Sequence, residues 1–158
     1  AQPALGDTVL TNAVWGAALR EGTAKRSPDL APLEITAGGM VAIGEDVKGM
    51  LDFMRPMLAL YIGGMGARGN NFYNHLVCSY GYEAEAAKIQ DLYLDGYKRD
   101  AEAEVPLELL ERINLVGPES YVKERIAAFK EAGVTNLQVA PATEDPTATV
   151  ALLKEWVA

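Results

Sequence analysis

Residues 115–141 constrain the fold most, because they predict a complete helix followed at once by a strand. Gly117 and Pro118 predict the helix start, since proline at the first helical position loses only an N–H group that has no partner within the helix. Apolar residues then recur on one face at spacings of four and three: Val122, Ile126 and Phe129. Gly133 predicts the helix end, and a strand follows over Asn136–Ala140. A helix joined so closely to a strand is the repeating half of a parallel α/β fold.

A second strand is predicted over Leu33–Ile43, which alternates at first and is then apolar on both faces, as a buried parallel strand is. Gly38 and Gly39 in its middle predict either a bulge or a place where another group approaches the backbone closely. Two strands beside six or seven helical segments cannot cover both faces of a sheet. We therefore expect a partial domain that is completed by a missing part or by a second copy. A complete barrel of eight strands and eight helices needs about 250 residues and is excluded by length.

The remaining segments predict helices. Asn12 predicts the cap of a helix that ends at Gly22 and buries four residues: Val14, Trp15, Ala18 and Leu19. The clearest helical pattern begins after Gly44, and Pro56 within it predicts a kink or a split. Asn70 or Asn71 predicts the cap of a short helix with an apolar stripe of Phe72, Leu76 and Tyr80. Residues 83–112 carry nine acidic and four basic residues, a local charge of -5, which is typical of the solvated face of a helical insertion.

Composition excludes several classes of partner. With 49% hydrophobic residues the chain is globular, and its formal charge of -8 argues against nucleic acid or an anionic membrane, which are polyanions. The single cysteine, Cys78, predicts a buried structural thiol and fits a reducing cytoplasm. No apolar run approaches the roughly 20 residues that span a bilayer, and the first residues given lack the basic region followed by an apolar stretch that is typical of an export signal. We expect a cytoplasmic protein.

Four motifs together resemble the C-terminal half of bacterial luciferase-like oxidoreductases, and within that family the branch that uses the deazaflavin coenzyme F-420, common in actinobacteria. The motifs are Leu60–Gly66, Asn70–Asn74, Tyr80–Ala86 and Leu115–Val122. The resemblance extends from about Trp15 to Pro141, whereas residues 1–10 do not match the family pattern.

The resemblance implies an α/β fold that is the C-terminal portion of a (β/α)8 TIM-type barrel. Residues 33–43 look like strand seven, residues 63–113 like the helical insertion that follows it, and residues 136–140 like strand eight, within a terminal helix–strand–helix unit over 115–158. In such enzymes the coenzyme lies across the C-terminal mouth of the barrel, and hydride passes between its ring and an organic substrate. The earlier strands hold the ring, so no catalytic acid or base can be assigned in this sequence.

Three functions follow as expectations. The first is a deazaflavin-dependent oxidoreductase that acts on a small molecule, with this chain as its C-terminal half. The second is a monooxygenase of the same family that uses flavin mononucleotide (FMN) and oxygen. The third is a non-catalytic half barrel that serves as a structural or oligomerisation module. The partners expected are the missing N-terminal half or further copies of the chain, with no nucleic acid and no membrane.

The candidate site residues fall into two groups. Gly38, Gly39 and Arg68 are the candidates for coenzyme binding, and Arg68 lies in a glycine loop over residues 63–69 that predicts either an anion site or a hinge. The candidates for a substrate pocket are Arg55, Asn71, Tyr73, Asn74 and His75. Structural roles are open for each of them: helix capping for the asparagines, packing for His75, and binding of helix carbonyls freed by Pro56 for Arg55. The sequence has no metal-ligand spacing.

Overall fold

The computed structural model describes residues 16–157. In chain order the helices are α1 (Gly16–Ala24), a 3-10 helix (Lys48–Met54), α2 (Arg55–Ala59), a π-helix (Leu60–Gly64), α3 (Phe72–Ser79), α4 (Glu83–Leu94), α5 (Lys98–Ala103), α6 (Leu107–Ile113), α7 (Glu119–Glu131) and α8 (Pro146–Val157). The strands are β1 (Thr36–Ile43), β2 (Leu115–Gly117) and β3 (Asn136–Pro141). The predicted cap Asn12 and the predicted core residues Val14 and Trp15 lie outside the described residues.

The chain divides into two compact units. A helical unit comprises Gly49–Glu111, and a sheet unit comprises the described residues up to Lys48 together with those from Arg112 onward. The helical unit contains most of the insertion that the sequence predicts over residues 63–113.

The sheet unit contains a parallel sheet with the strand order β2-β1-β3. β1 is central: Val41 lies opposite Leu115 of β2, and Thr36 lies opposite Asn136 of β3. Both predicted strands are confirmed, although β1 begins at Thr36 instead of Leu33. The prediction of two strands was wrong, because Leu115–Gly117 is a third. From the sequence, Leu115–Gly117 is assigned to the start of a helix because Pro118 follows directly. Its pairing with β1 makes this segment a strand.

The core of the sheet unit lies between the sheet and helices α7 and α8. It consists of Val41, Leu115, Val122, Ile126, Phe129 and Leu153, so the predicted apolar face of α7 is confirmed. The predicted end of α7 is confirmed as well: Gly133 has a φ of +87°, and Val134 N–H donates to the Phe129 carbonyl at 3.0 Å. These are the features of a Schellman motif, which satisfies the last carbonyls of a helix.

The start of the sheet unit differs from expectation. Helix α1 ends at Ala24 instead of Gly22, Ala18 is exposed, and Leu19 is half-buried. The prediction that α1 buries both residues was wrong, because Leu19 lines an open cleft instead of packing into the core and Ala18 is on the surface.

In the helical unit the long helical pattern is interrupted at Pro56, as predicted. A 3-10 helix ends at Met54, and α2 begins with Pro56 in its first turn, where the missing N–H group leaves no hydrogen bond unmade. Asn71 is confirmed as the cap of α3. Phe72 is 57% exposed, and the buried residues of α3 are Asn74 and Val77.

Candidate functional site

The predicted site residues are distributed over both units. Gly38 and Gly39 lie in β1 of the sheet unit, whereas Arg55, Arg68 and the residues of the Asn71–His75 segment belong to the helical unit.

Gly38 and Gly39 are required by the close approach of neighbouring backbone. A Cβ atom at Gly38 would lie 1.8 Å from the Gln138 carbonyl oxygen of β3, and one at Gly39 would lie 2.3 Å from the Ile113 carbonyl oxygen. The pairing with β3 runs through both glycines in unbroken register, so the alternative of a bulge was wrong. The alternative of a close approach is confirmed, and the groups that approach are backbone atoms of the chain itself.

Asn114 is a buried polar residue that the sequence analysis did not single out. Its side-chain oxygen accepts a hydrogen bond of 2.9 Å from the Met40 N–H group, and only 1% of the residue is exposed. It directly precedes β2 and so ties the start of that strand to the middle of β1. The sequence feature that could have identified Asn114 is its position between two apolar residues, Ile113 and Leu115.

Asn71 uses its whole side-chain amide within the protein. The oxygen accepts from the N–H groups of Tyr73 and Asn74 at 3.0 and 3.2 Å, and the nitrogen donates to the carbonyls of Tyr61 and Ile62 at 3.0 Å each. An amide offers two donor hydrogens and two acceptor lone pairs. The arrangement therefore caps α3 and satisfies two carbonyls of the π-helix without any ligand.

Asn74 continues this network. Its amide nitrogen donates to the Ile62 carbonyl at 3.2 Å and to the Ala86 carbonyl at 2.8 Å, so it joins α3 to the π-helix and to α4. Its oxygen faces the Cys78 thiol at 3.7 Å. Burial raises the pKa of Cys78, and Glu83 raises it further. A raised pKa disfavours the thiolate, which fits a structural thiol, although the predicted full burial was wrong because Cys78 is half-buried.

Tyr73 belongs to a group of aromatic and aliphatic side chains, here called the apolar strip: Phe53, Met57, Leu60, Tyr61, Phe72 and Tyr73. Tyr61 is half-buried, and the other five are exposed. The first three recur at helical spacings of four and three, and each is at least 39% exposed. The Tyr73 ring packs edge-on against Tyr61 at 4.6 Å and against Phe72 at 5.4 Å between centroids. Most of the strip could not be predicted from the sequence, because helical spacing alone does not tell an exposed face from a buried one.

Arg68 is held by two carboxylates, Asp91 of α4 and Asp95, which caps the C-terminal end of that helix. Its Nε donates to Asp91 at 2.6 Å, and one terminal nitrogen donates to Asp95 at 3.0 Å. The two hydrogen bonds, to Asp91 first and then to Asp95, raise the pKa of Arg68. Two carboxylates around one guanidinium leave a local charge of -1, which repels an anionic ligand.

Arg55 also has partners within the helical unit. It donates to Asp52 at 2.6 Å and to the Val105 carbonyl, which follows α5. His75 is exposed on α3, and its backbone N–H donates to the Asn71 carbonyl at 3.1 Å. Of the predicted pocket residues, the structure thus brings Asn71, Tyr73 and Asn74 together at the start of α3.

The first glycines of the loop over residues 63–69 serve packing. Gly63 and Gly64 end the π-helix, and a Cβ atom at either would lie 2.5 Å from an atom of the Tyr93 side chain. Their absent side chains therefore let α4 approach the π-helix closely. In a π-helical turn the backbone hydrogen bonds depart from the regular α-helical pattern.

Two depressions in the sheet unit are large enough for a small molecule. One, of about 740 Å³, is lined by α1 and the segment after it, including Leu19, Arg20, Leu30 and Ile35. The other, of about 480 Å³, lies where β3 ends and α8 begins, with Pro141, Thr147 and Lys154 in its wall. Neither is lined by a predicted site residue.

Between residues 16 and 157, no cluster of histidine, cysteine, aspartate or glutamate has the composition of a metal site. No helix within the same range is long and apolar enough to cross a membrane.

Comparison with known proteins gives the family. The sequence profile of the luciferase-like monooxygenases matches residues 4–136. A protein of Mycobacterium tuberculosis, named provisionally as a coenzyme F420-dependent oxidoreductase, is 32% identical over 120 residues, which are 76% of this chain and 35% of that protein. The chain thus spans about a third of the length of this relative. No solved structure shows a significant match. The chain, with its parallel α/β sheet, belongs to the luciferase-like monooxygenase family, whose fold is the TIM barrel.

Proposed function

We propose that this chain forms the C-terminal strands and the helical insertion of a luciferase-like oxidoreductase that transfers hydride between a deazaflavin and an organic substrate. The family match and the name of the mycobacterial relative support the proposal. The relative's name also favours the deazaflavin over FMN, since the family includes enzymes that use flavins.

The observation that carries the proposal is the exposed face of β3, the strand at one edge of the sheet. Parallel strands are normally covered on both faces. In β3, however, burial alternates, and Asn136, Gln138 and Ala140 are exposed. Thr36, which pairs with Asn136 in β1, is exposed as well. This is the pattern expected where the remaining strands of a barrel would enclose the interior.

The strand order supports the assignment of β1 as strand seven and β3 as strand eight. Consecutive strands of a parallel barrel are neighbours, and β1 pairs with β3 along six residues, whereas β2, which lies between them in the chain, pairs with only the last three residues of β1. The three strands are parallel, so their carboxyl ends at Ile43, Gly117 and Pro141 meet at one edge of the sheet. Active sites of such barrels are built at that edge.

The candidate coenzyme residues of this chain do not form a cradle for a deazaflavin. Backbone atoms fill the space beside Gly38 and Gly39. The guanidinium of Arg68 already donates hydrogen bonds to Asp91 and Asp95. When bound, a deazaflavin supplies the site that accepts or donates hydride. We propose that residues outside this chain hold the ring, which is also what the family resemblance implies. Tyr73, which is 38% exposed, and His75, which is exposed, remain candidates for substrate contact.

All three candidate coenzyme residues contact other parts of the chain. This observation also favours a second proposal, a non-catalytic half barrel that acts by assembly. In that case the exposed sheet face would be covered by another subunit. Its partners would be further copies of the chain or an N-terminal half. The cytoplasmic location stays a prediction.

Titration of the purified chain with coenzyme F-420 and with FMN, followed by fluorescence, separates these functions. It is done on the chain alone and after addition of the N-terminal part of the protein. We expect F-420 to bind only when both parts are present. Binding of FMN in preference to F-420 would identify the monooxygenase, and binding of neither in a folded complex would leave the half-barrel proposal. The mass of the native protein determines which partner completes the sheet.

A further inference from the structure

The loop between the π-helix and α3 is compact because of its own backbone. We call residues 65–70 the strap. Within it, Asn70 N–H donates to the Ala67 carbonyl at 2.9 Å, and Gly69 has a φ of +74°, which glycine adopts without strain. A Cβ atom at Gly66 would lie 2.3 Å from the Asn70 carbonyl oxygen. The turn therefore forms without help from the Arg68 side chain.

Arg68 connects this turn to a distant helix. Its guanidinium reaches Asp91 in the last turn of α4 and Asp95, the C-cap of that helix, which lie four residues apart and hence on one side of its C-terminal end. A planar guanidinium can engage two carboxylates at once with its fork of donors. The side chains of the three residues are each more than half exposed, so salt screens both contacts.

We propose that Arg68 is a salt-sensitive clamp that holds the strap on α4 and is not a coenzyme ligand. The local charge of -1 supports this role, since an anion would have to displace two carboxylates. Exposed ion pairs are individually weak. The clamp therefore opens readily, and the strap is poised to leave α4 when the ionic strength rises.

Opening of the clamp would affect the start of α3. The strap ends next to the cap Asn71, and Phe72 and Tyr73 follow directly. A freed strap would therefore loosen the position of Tyr73, a candidate for substrate contact. This consequence rests on the proposed function; the clamp itself does not.

Limited digestion with trypsin tests the clamp, because the protease must take the Arg68 side chain into its own specificity pocket to cut the Arg68–Gly69 bond. The variants are Asp91→Asn, Asp95→Asn and the double substitution, all of which keep Arg68. We expect the initial rate of cleavage at this bond to rise about threefold in each single variant and about tenfold in the double variant. In the unaltered chain, 1 M NaCl should raise it as well, relative to the bond after Arg26.

The matched control is Asp100→Asn, which removes an exposed carboxylate of α5 in the same unit. Its cleavage rate should equal that of the unaltered chain. Equal cleavage after Arg68 in all variants and at both salt concentrations would overturn the clamp. Faster cleavage after Lys88 and Lys98 to the same extent would also overturn it, because the effect would then be general loosening. The measurements at different salt concentrations need no variant. None of the digestions requires coenzyme, so a negative result for the clamp does not bear on the proposed function.

Discussion

The side-chain nitrogen of Asn71 donates a hydrogen bond of 3.0 Å to the carbonyl of Ile62 in the π-helix. A π-helical turn displaces carbonyls from their regular α-helical partners. Asn71 is 1% exposed and meets these carbonyls with the same amide that caps α3. The dense polar segment after the glycine loop is thus, in large part, the hydrogen bonding that an irregular helix needs.

The substitution Asn71→Ala should lower the free energy of unfolding by about 2–4 kcal/mol. It removes a helix cap and leaves buried carbonyls without partners. Urea unfolding followed by circular dichroism measures the change. The neighbouring Asn70 is exposed, so Asn70→Ala should change the value by less than about 0.5 kcal/mol. Equal effects of the two substitutions would contradict the network.

Gly39→Ala should destabilise the sheet unit by about 2–4 kcal/mol, because the added methyl group would meet the backbone carbonyl of Ile113, and neither β1 nor the end of α6 can move freely. Thermal unfolding measures the loss. The control is Gly22→Ala in helix α1, where a Cβ atom meets nothing within 4 Å. That substitution should stabilise the protein by about 0.5–1 kcal/mol. A neutral Gly39→Ala would show that the strand has spare room for a ligand.

Phe129→Ala should cost about 3–5 kcal/mol, since Phe129 is 3% exposed in the core between α7 and the sheet. The adjacent Lys130 is exposed, and Lys130→Ala should cost less than about 0.5 kcal/mol. Denaturant titration of both variants gives the comparison. A loss below about 1 kcal/mol for Phe129→Ala would mean that α7 does not bury this face.

Gln90 carries a buried amide nitrogen without a hydrogen-bond partner among residues 16–157. Gln90→Met keeps the length of the side chain and removes the unpartnered group, so we expect a gain in stability of about 1 kcal/mol. The exposed Gln138 provides the control, because Gln138→Met removes no buried group. Calorimetry decides the sign, and a loss in Gln90→Met would reveal a bridging water.

Cys78 should react slowly with thiol reagents. Burial, followed by Glu83, raises the pKa of its thiol, so the folded chain carries less thiolate than the unfolded chain at the same pH. The raised pKa also means that the folded state loses stability as the pH rises above the ordinary thiol value of about 8.5. The rate of reaction in buffer and in urea at pH 8 checks this. A folded chain that reacts as fast as the unfolded one would contradict it.

Much of the helical structure could be predicted from the sequence. The cap at Asn71, the break at Pro56 and the end of α7 at Gly133 depend on residues within one or two turns of each other. The apolar face of α7 follows from spacing alone. The family could also be recognised, since its motifs are short and lie in a fixed order.

The site was less predictable, because its polar residues find partners far along the chain. Arg68 suggested an anion site, yet Asp91 and Asp95 lie 23 and 27 residues away. The exposed apolar strip has the same spacing as a core stripe. Sequence patterns identify which residues share a face but not what that face meets.

The sequence by itself determined the break at Pro56, the cap at Asn71, the end and the apolar face of α7, and the family, because caps, breakers and periodicity act through neighbours in the chain. Only the tertiary structure decided that Leu115–Gly117 is a strand, that the ladder runs unbroken through Gly38 and Gly39, and that Arg68 is paired. Strand pairing and ion pairing join residues distant in sequence, and their energies depend on distances that the order of residues does not contain.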